Sequence, residues 1–340
     1  MSEFKYNLPE ERIAKFPPKE RGTTKLLVLD RKEGSIKHRR YSDCVEYMKE
    51  GDVVVLNETK VEKRRMYFLD SKERIHEVLF LNQQQDENWF CLMKKSKQLN
   101  ENDILSNLVC KEIQLQIIQK SEKGVIVKLL SDLNPEVVFE KIGHIPIPPY
   151  MKRDDTEEDF ARYNTVFGKH FGSVASPTAS LNLTADLLEK IEKKGIKVAK
   201  VELKVGWGTF APVREENIED HDIHEEEISL SQTSADIINK TMKNGGEVWA
   251  FGTTVARLLE SCATEDGFVE AYDGKTNLYI YPGYEWKVVD HLITNFHMPD
   301  SSLILLVSSF AEKELIKKAY EEALKNKYTF LSYGDSMLII

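Results

Sequence analysis

Little in this chain points to export, a membrane or a redox framework. Its four cysteines, Cys44, Cys91, Cys110 and Cys262, form no CxxC pair and no disulfide framework, so a reducing cytoplasm is the expected compartment. No run approaches the roughly 20 apolar residues of a membrane span, and the opening Met-Ser-Glu-Phe-Lys-Tyr-Asn lacks the apolar core of a signal peptide. Neither GxGxxG nor a Walker loop occurs, which removes the usual nucleotide fingerprints. Internal repeats and low-complexity tracts are also missing. Positive charge is in deficit: 47 Lys and Arg against 56 Asp and Glu leave a net −9, which argues against polyanion binding by the whole surface. Two local basic runs survive that argument, Lys37-His38-Arg39-Arg40 and Lys60 with Lys63, Arg64 and Arg65. Each reads either as a nucleic-acid contact or as a solvated face.

What the chain has is length for two domains, at 340 residues, and one stretch rich in site-like chemistry. From Gly172 to Glu226, small residues, hydroxyls, glycines and two histidines alternate with short apolar runs, the pattern by which backbone is brought close to a ligand. Within it Thr184 precedes an amphipathic run that ends in lysines and Gly195, so start and stop signals agree on a helix of about three turns. A strand follows, with Val201, Leu203 and Val205 toward a core and Lys204 toward solvent or a cleft. Gly206-Trp207-Gly208-Thr209-Phe210 leaves that strand end, where open α/β sheets hold their ligands.

Upstream, the runs at 26–30 and 52–57 read as buried strands. Asn57-Glu58-Thr59-Lys60 ends the second of them, offering ligand contacts or merely a turn with its own side-chain hydrogen bonds. From Met66 to Ile147 short strand-like runs alternate with polar turns, which predicts a small antiparallel barrel or sandwich. The prolines of 145–150 mark its end. Beyond, helices near 232–244 and 253–262 flank a strand at 248–251. Gly252-Thr253-Thr254 joins that strand to the second helix, as an anion site or as a simple cap. An amphipathic helix is predicted around 312–325. The fold class is therefore α/β, with residues 1–65 and 148–340 as a discontinuous main domain and 66–147 as an inserted antiparallel β-barrel.

Read together, these segments resemble the S-adenosylmethionine:tRNA ribosyltransferase-isomerase (QueA) family of queuosine biosynthesis. The likeness is carried by Gly51-Asp-Val-Val-Val-Leu-Asn57, Ile147-Pro-Pro-Tyr150 and Arg162-Tyr-Asn-Thr-Val-Phe167, then by Ser176-Pro-Thr-Ala179, Gly208-Thr-Phe210 and Pro212-Val-Arg214. It continues through His221 and His224, Gly252-Thr-Thr254 with Arg257, Tyr281-Pro-Gly-Tyr284, Thr294-Asn-Phe-His297 and Ser332-Tyr-Gly-Asp335. The resemblance implies S-adenosylmethionine as co-substrate, tRNA as partner, no metal, and a transferase and isomerase reaction. In it the ribosyl group passes to 7-aminomethyl-7-deazaguanine in tRNA, giving epoxyqueuosine with release of adenine and methionine. A monomer in the cytoplasm is expected.

That chemistry needs a base for the ribose C5′ protons that the sulfonium acidifies, and a proton donor for the departing adenine. His221, His224, Glu226 and His297 are the acid/base candidates. Arg257, Thr253 and Thr254 are expected at the methionine carboxylate, and Thr209 and Phe210 at the ribose or base. Asn57, Thr59, Thr178, Asn182, Lys204, Gly208, Arg214, Tyr281, Tyr284 and Asn295 complete the expected substrate contacts, and Lys60, Lys63, Arg64 and Arg65 the nucleic-acid ones. His297 reads equally as a core histidine, the two tyrosines as packing, and His221 with His224 as a fragment of a metal site on one helix face that lacks a third ligand. Asp290 and Asp335 read as caps or pairs.

The chain also departs from the family pattern. Ser180, Asn182 and Leu183 stand for Gly, His and Phe, Lys204 for His, Glu225 for Ser, Lys60 for Arg and Asn277 for Asp. Two imidazoles are thereby lost, and neither Asn182 nor a protonated Lys204 is a base at neutral pH. Three readings follow. The reaction is unchanged, with the work shared among the remaining groups; or the chain is a divergent paralog that binds S-adenosylmethionine but uses another acceptor or cleavage; or it is a non-catalytic RNA-binding module.

Overall fold

The structure is a computed structural model that describes residues 2–84, 86–206, 213, 215 and 217–340. Two compact units emerge: Met1–Lys60 with Pro148–Arg153 and Ala161–Ile340, and Val61–Ile147 with Asp154–Phe160. The second unit thus begins at Val61, not Met66, because the strand that starts at Arg65 already pairs with Leu79 inside it. It also takes up Asp154–Phe160, a segment that lies beyond the proline-rich boundary.

In chain order the strands are β1 (Lys25–Asp30), β2 (Ser35–Arg40), β3 (Val53–Asn57), β4 (Thr59–Val61), β5 (Arg65–Leu69), β6 (Ile75–Gln83), β7 (Trp89–Met93), β8 (Ile104–Asn107), β9 (Gln114–Lys120) and β10 (Val125–Leu130). There follow β11 (His170–Ser173), β12 (Lys197–Leu203), β13 (Glu226–Leu230), β14 (Val248–Phe251), β15 (Tyr272–Thr276), β16 (His291–Asn295) and β17 (Ser336–Ile339). The helices are α1 (Pro135–Ile142), α2 (Glu157–Arg162), α3 (Ala185–Lys193), α4 (Gln232–Lys243), α5 (Thr253–Ser261), α6 (Ser302–Phe310) and α7 (Lys313–Lys325).

In the second unit β10-β7-β6-β5-β8-β9 close into an antiparallel barrel around Phe68, Phe80, Trp89 and Leu115. The first unit is built on a nine-stranded sheet of order β15-β13-β12-β3-β14-β16-β17-β1-β2. Its middle four strands, β12, β3, β14 and β16, run parallel. Parallel strands are covered on both faces and so need apolar side chains at every position. That is why Val-Val-Val-Leu in β3 and Val-Trp-Ala-Phe in β14 are buried throughout. Alternate residues serve two cores: Val53, Val55, Ala199 and Ala250 face the side packed by α4 to α7, while Val54, Leu56, Trp249 and Phe251 face α3.

The helix expected after Thr184 is α3, with the Thr184 hydroxyl accepting from the Leu187 amide at 3.1 Å. From β3 the chain next enters the sheet on one side, at β12, and later on the other, at β14. The strand order therefore reverses at β3, the kind of point where ligands bind outside the carboxyl ends of α/β strands.

Asn57 holds that point together. Fully buried at the end of β3, it donates to the Leu203 carbonyl at 3.0 Å and accepts from the Leu203 and Thr59 amides at 3.2 Å. Asn57→Ala leaves those backbone groups buried without these partners and should cost about 2–4 kcal/mol of stability. Urea unfolding of the two proteins checks this; a loss within ~0.5 kcal/mol would show the carboxamide to be dispensable.

Candidate functional site

At the carboxyl ends of the four parallel strands lies a cavity of about 240 Å³. Val205 reaches it from β12, Gly252-Thr253-Thr254 from β14 and Thr294 to Met298 from β16, with Ser176 to Ala179 and Leu331-Ser332 closing it. The cap of α5 is Gly252, not a threonine. Its φ of 110° is a value that side-chain-bearing residues rarely adopt, and it brings no side-chain oxygen to the first-turn amides. A positive helix end thus faces the cavity between two hydroxyls.

Other polar groups converge there. The Thr178 hydroxyl donates to Asn295 Oδ1 at 2.8 Å, holding that carboxamide in the wall. The Ser176 hydroxyl is buried with no partner among the described residues, although its residue lines the cavity. Sequence reasoning quoted Ser176 within a motif but singled out only Thr178; the signal was a hydroxyl between small residues ahead of a proline. His297 lines the cavity while its backbone is anchored in the core, its amide donating to the Tyr320 hydroxyl at 3.0 Å and its carbonyl accepting from Tyr6. Its Nε2 lies 2.8 Å from Thr294 Oγ1, and burial lowers its pKa to about 3, so the ring is neutral at physiological pH.

A second, smaller cavity of about 30 Å³ shares Leu303 with the first and is bordered by Gly206, His224, Glu226, Arg257 and Tyr279. Glu226 and Arg257 form a buried ion pair across it. Glu226 accepts from Arg257 and, at 2.9 Å, from the Gly206 amide, while Arg257 Nε donates to the Leu278 carbonyl at 2.8 Å. Both charges are thereby committed to each other. This separates Arg257 from the cavity lined by Thr253 and Thr254, and engages both oxygens of Glu226, against the roles expected from sequence.

His221 and His224 follow a short 3-10 turn, Ile218–Asp220, in a segment without helix, so their spacing does not put them on one helix face. His221 is partly buried, with Nδ1 2.8 Å from Glu215 Oε2 and its ring edge-on to Tyr279 at 5.5 Å. Burial and the nearby Glu215 push the Tyr279 phenol up to about 12, and its buried hydroxyl has no hydrogen-bond partner among the described residues. His224 is exposed at the rim of the small cavity. Among the described residues no group of three metal-ligating side chains occurs.

Several expected contacts lie elsewhere. Asn57 and Thr59 are buried strand-end clamps, the Thr59 hydroxyl 2.7 Å from that of Ser173. Asn182 is buried outside the cavity wall, and Lys204 forms a half-exposed pair with Glu227 at 2.8 Å that holds its pKa above the ordinary range. Tyr281 packs on Tyr279, and Tyr284 donates to Glu260 at 3.1 Å. Asp335 accepts from the Lys25 and Thr329 amides and Asp290 from that of Val248, as caps. Gly208, Thr209, Phe210 and Arg214 are outside the described residues.

The second basic run is not a surface patch. Arg64 bonds Glu62 at 2.6 Å and stacks over Trp89 and Phe139, and Arg65 is buried on the Ile147 carbonyl and Glu77. Lys63 pairs with Glu140 at 2.6 Å, and Lys60 sits over Phe171. Lys63, Arg64 and Arg65 each have an acidic partner inside their own unit, Glu140, Glu62 and Glu77.

A family profile described as "Queuosine biosynthesis protein" matches residues 1–339 of the chain. An S-adenosylmethionine:tRNA ribosyltransferase-isomerase of Sulfurihydrogenibium sp. (strain YO3AOP1) is 43% identical to it, covering 100% of this chain and 99% of that protein. Among solved structures, an S-adenosylmethionine tRNA ribosyltransferase from Thermotoga maritima superposes with a TM-score of 0.57 at 32% identity, covering 99% of this chain and all of the other. That likeness extends to the mixed α/β architecture.

The buried neutral His297 has a consequence for acid stability. Its folded pKa of about 3 lies below the ordinary 6.5, so between those values the unfolded chain takes up a proton that the folded one refuses. Its contribution is complete above the unfolded pKa and is lost as pH falls. Wild type should therefore lose roughly 1–2 kcal/mol more than His297→Gln between pH 7 and pH 5 in urea unfolding. Equal losses would mean that the imidazole protonates in place.

Proposed function

The chain belongs to the family of queuosine biosynthesis proteins, and from that premise we propose that it is an S-adenosylmethionine-dependent ribosyltransferase-isomerase acting on tRNA in the cytoplasm. The acceptor is the aminomethyl group of 7-aminomethyl-7-deazaguanine, the product epoxyqueuosine, and adenine and methionine leave. The observation that carries the reading is that the likeness runs the length of the chain, while Lys60, Ser180, Asn182, Leu183, Lys204, Glu225 and Asn277, where it departs from the family pattern, all lie outside the main cavity wall. This favours an unchanged reaction over a divergent paralog.

In this reading the first-turn amides of α5, with Thr253 and Thr254, hold the methionine carboxylate. Arg257, already paired with Glu226, shapes the adjoining wall. His221, oriented through Nδ1 by Glu215, takes a C5′ proton at Nε2, and the imidazolium so formed can return a proton to the departing adenine. His297 stays neutral and offers a hydrogen bond to the ribose or base, as does the unpartnered Ser176 hydroxyl.

The test is to incubate the protein with S-adenosylmethionine, with and without tRNA carrying the aminomethyl deazaguanine, and to follow adenine and methionine by mass spectrometry. Release that depends on the RNA, with a matching mass gain on the nucleoside, is expected. Release without RNA, or binding without release, would overturn the proposal. His221→Ala should lower kcat by roughly two to four orders of magnitude, and His224→Ala by less than about tenfold. The reverse order would move the base to His224.

A further inference from the structure

The other basic run, Lys37 to Arg40, forms β2, the exposed edge strand of the nine-stranded sheet. The register places the end of β2 with respect to the cavity. Asn295, in the cavity wall, pairs with Ser336, Ser336 with Leu26, and Leu26 with Arg39, so one row crosses the sheet from the cavity to the basic edge. Three strand spacings make that distance about 14 Å. Lys25 pairs with Arg40 one residue further toward the cavity end. A second link runs through Asp335, whose carboxylate accepts from the Lys25 amide at 2.6 Å and whose carbonyl accepts from Asn295 at 3.4 Å.

The side chains of this edge are arranged as a receptor. Lys25, His38, Arg39 and Arg40, with Tyr328 and Asp43, line an open hollow of about 450 Å³. Lys25 Nζ is held over the Tyr328 ring at 4.9 Å by the Asn326 and Lys327 carbonyls, and His38 Nδ1 lies 2.8 Å from the Tyr328 hydroxyl. The acidic neighbours are occupied: Asp43 accepts from the Arg40 amide at 3.0 Å, and Glu322 from Asn326 at 2.6 Å. The guanidinium groups of Arg39 and Arg40 make no ion pair among the described residues. Arg39 donates only to the neighbouring His38 carbonyl, at 3.1 Å, so both guanidinium groups stand on the edge strand without a carboxylate among the described residues.

We infer that the β2 edge binds the phosphodiester backbone of the RNA whose modified base enters the cavity. The inference rests on the function proposed above. A base that reacts in a cavity must be turned out of its stack, and its flanking backbone then crosses the surface outside. Arginine forks at a fixed distance from the cavity suit those phosphates, and the contact carries no sequence information of its own.

The test compares R39E/R40E with K240E/K243E, an equal charge change on α4, where Lys240 stands by the amino ends of β3 and β12, away from the cavity end. The R39E/R40E protein should show a KM for the modified tRNA raised tenfold or more. Its KM for S-adenosylmethionine and its kcat at saturating RNA should be unchanged, and its salt slope shallower by about 1–2. K240E/K243E should stay within twofold of wild type. Glutamates guard a strand edge against self-association as arginines do, so that role survives the swap. An unchanged KM in R39E/R40E, or equal weakening in both variants, overturns the inference while wild-type turnover keeps the proposed function standing. Absence of RNA-dependent release in the wild type itself removes both.

Discussion

A single buried carboxamide fixes where two parallel strands end relative to each other. Asn57 closes β3 onto the Leu203 end of β12, donating to the Leu203 carbonyl and accepting from its amide while fully buried. Parallel strands carry their backbone dipoles and following helices in one direction, so once their ends are level everything polar that follows them opens on the same side. The Gly252 turn and the Thr294 to His297 segment meet in one cavity for this reason. The geometry of the cavity is a by-product of strand register.

Charge inside the first unit is handled by a consistent rule. Where an ionised group is buried it has a full set of partners, as Glu226 has in Arg257 and the Gly206 amide. Glu260 likewise accepts from the amides of Lys287, Val288 and Val289 and from Tyr284. Where the partner is a neutral hydroxyl and the site is buried, the group itself is neutral, as His297 is beside Thr294. Among the buried side-chain atoms without a hydrogen-bond partner in the described residues are the hydroxyls of Ser176 and Tyr279, whose desolvation is far cheaper than that of a charge. They are the groups free to turn toward a ligand.

Much of this was legible in the sequence. The strands β3 and β14 read as short apolar runs because both their faces are covered, and α3, α4, α5 and α7 declared themselves through caps and amphipathic spacing. The helix α6 did not, since Ser-Leu-Ile-Leu-Leu-Val is apolar on every side and shows no period. The strand-end segments of the site were visible as glycines and hydroxyls after apolar runs. Pairings were not: nothing local to Arg257 names Glu226 on a distant strand, and nothing local to Arg64 names Trp89. Net charge and clustering therefore left both basic runs as candidates, because a run of cations has no way of showing which of them already have partners.

The inserted unit carries its own fastening. Arg65, at its entry, and His144, near its exit, exchange backbone hydrogen bonds of 3.1 and 2.7 Å. For the polypeptide that must later bring β3 and β12 side by side, a barrel so clasped more than halves the length of the intervening coil. By the logarithmic scaling of loop closure, forming the clasp first spares the main sheet about 0.7 kcal/mol of chain entropy. The barrel, whatever else it contributes, shortens the search by which the parallel strands find one another.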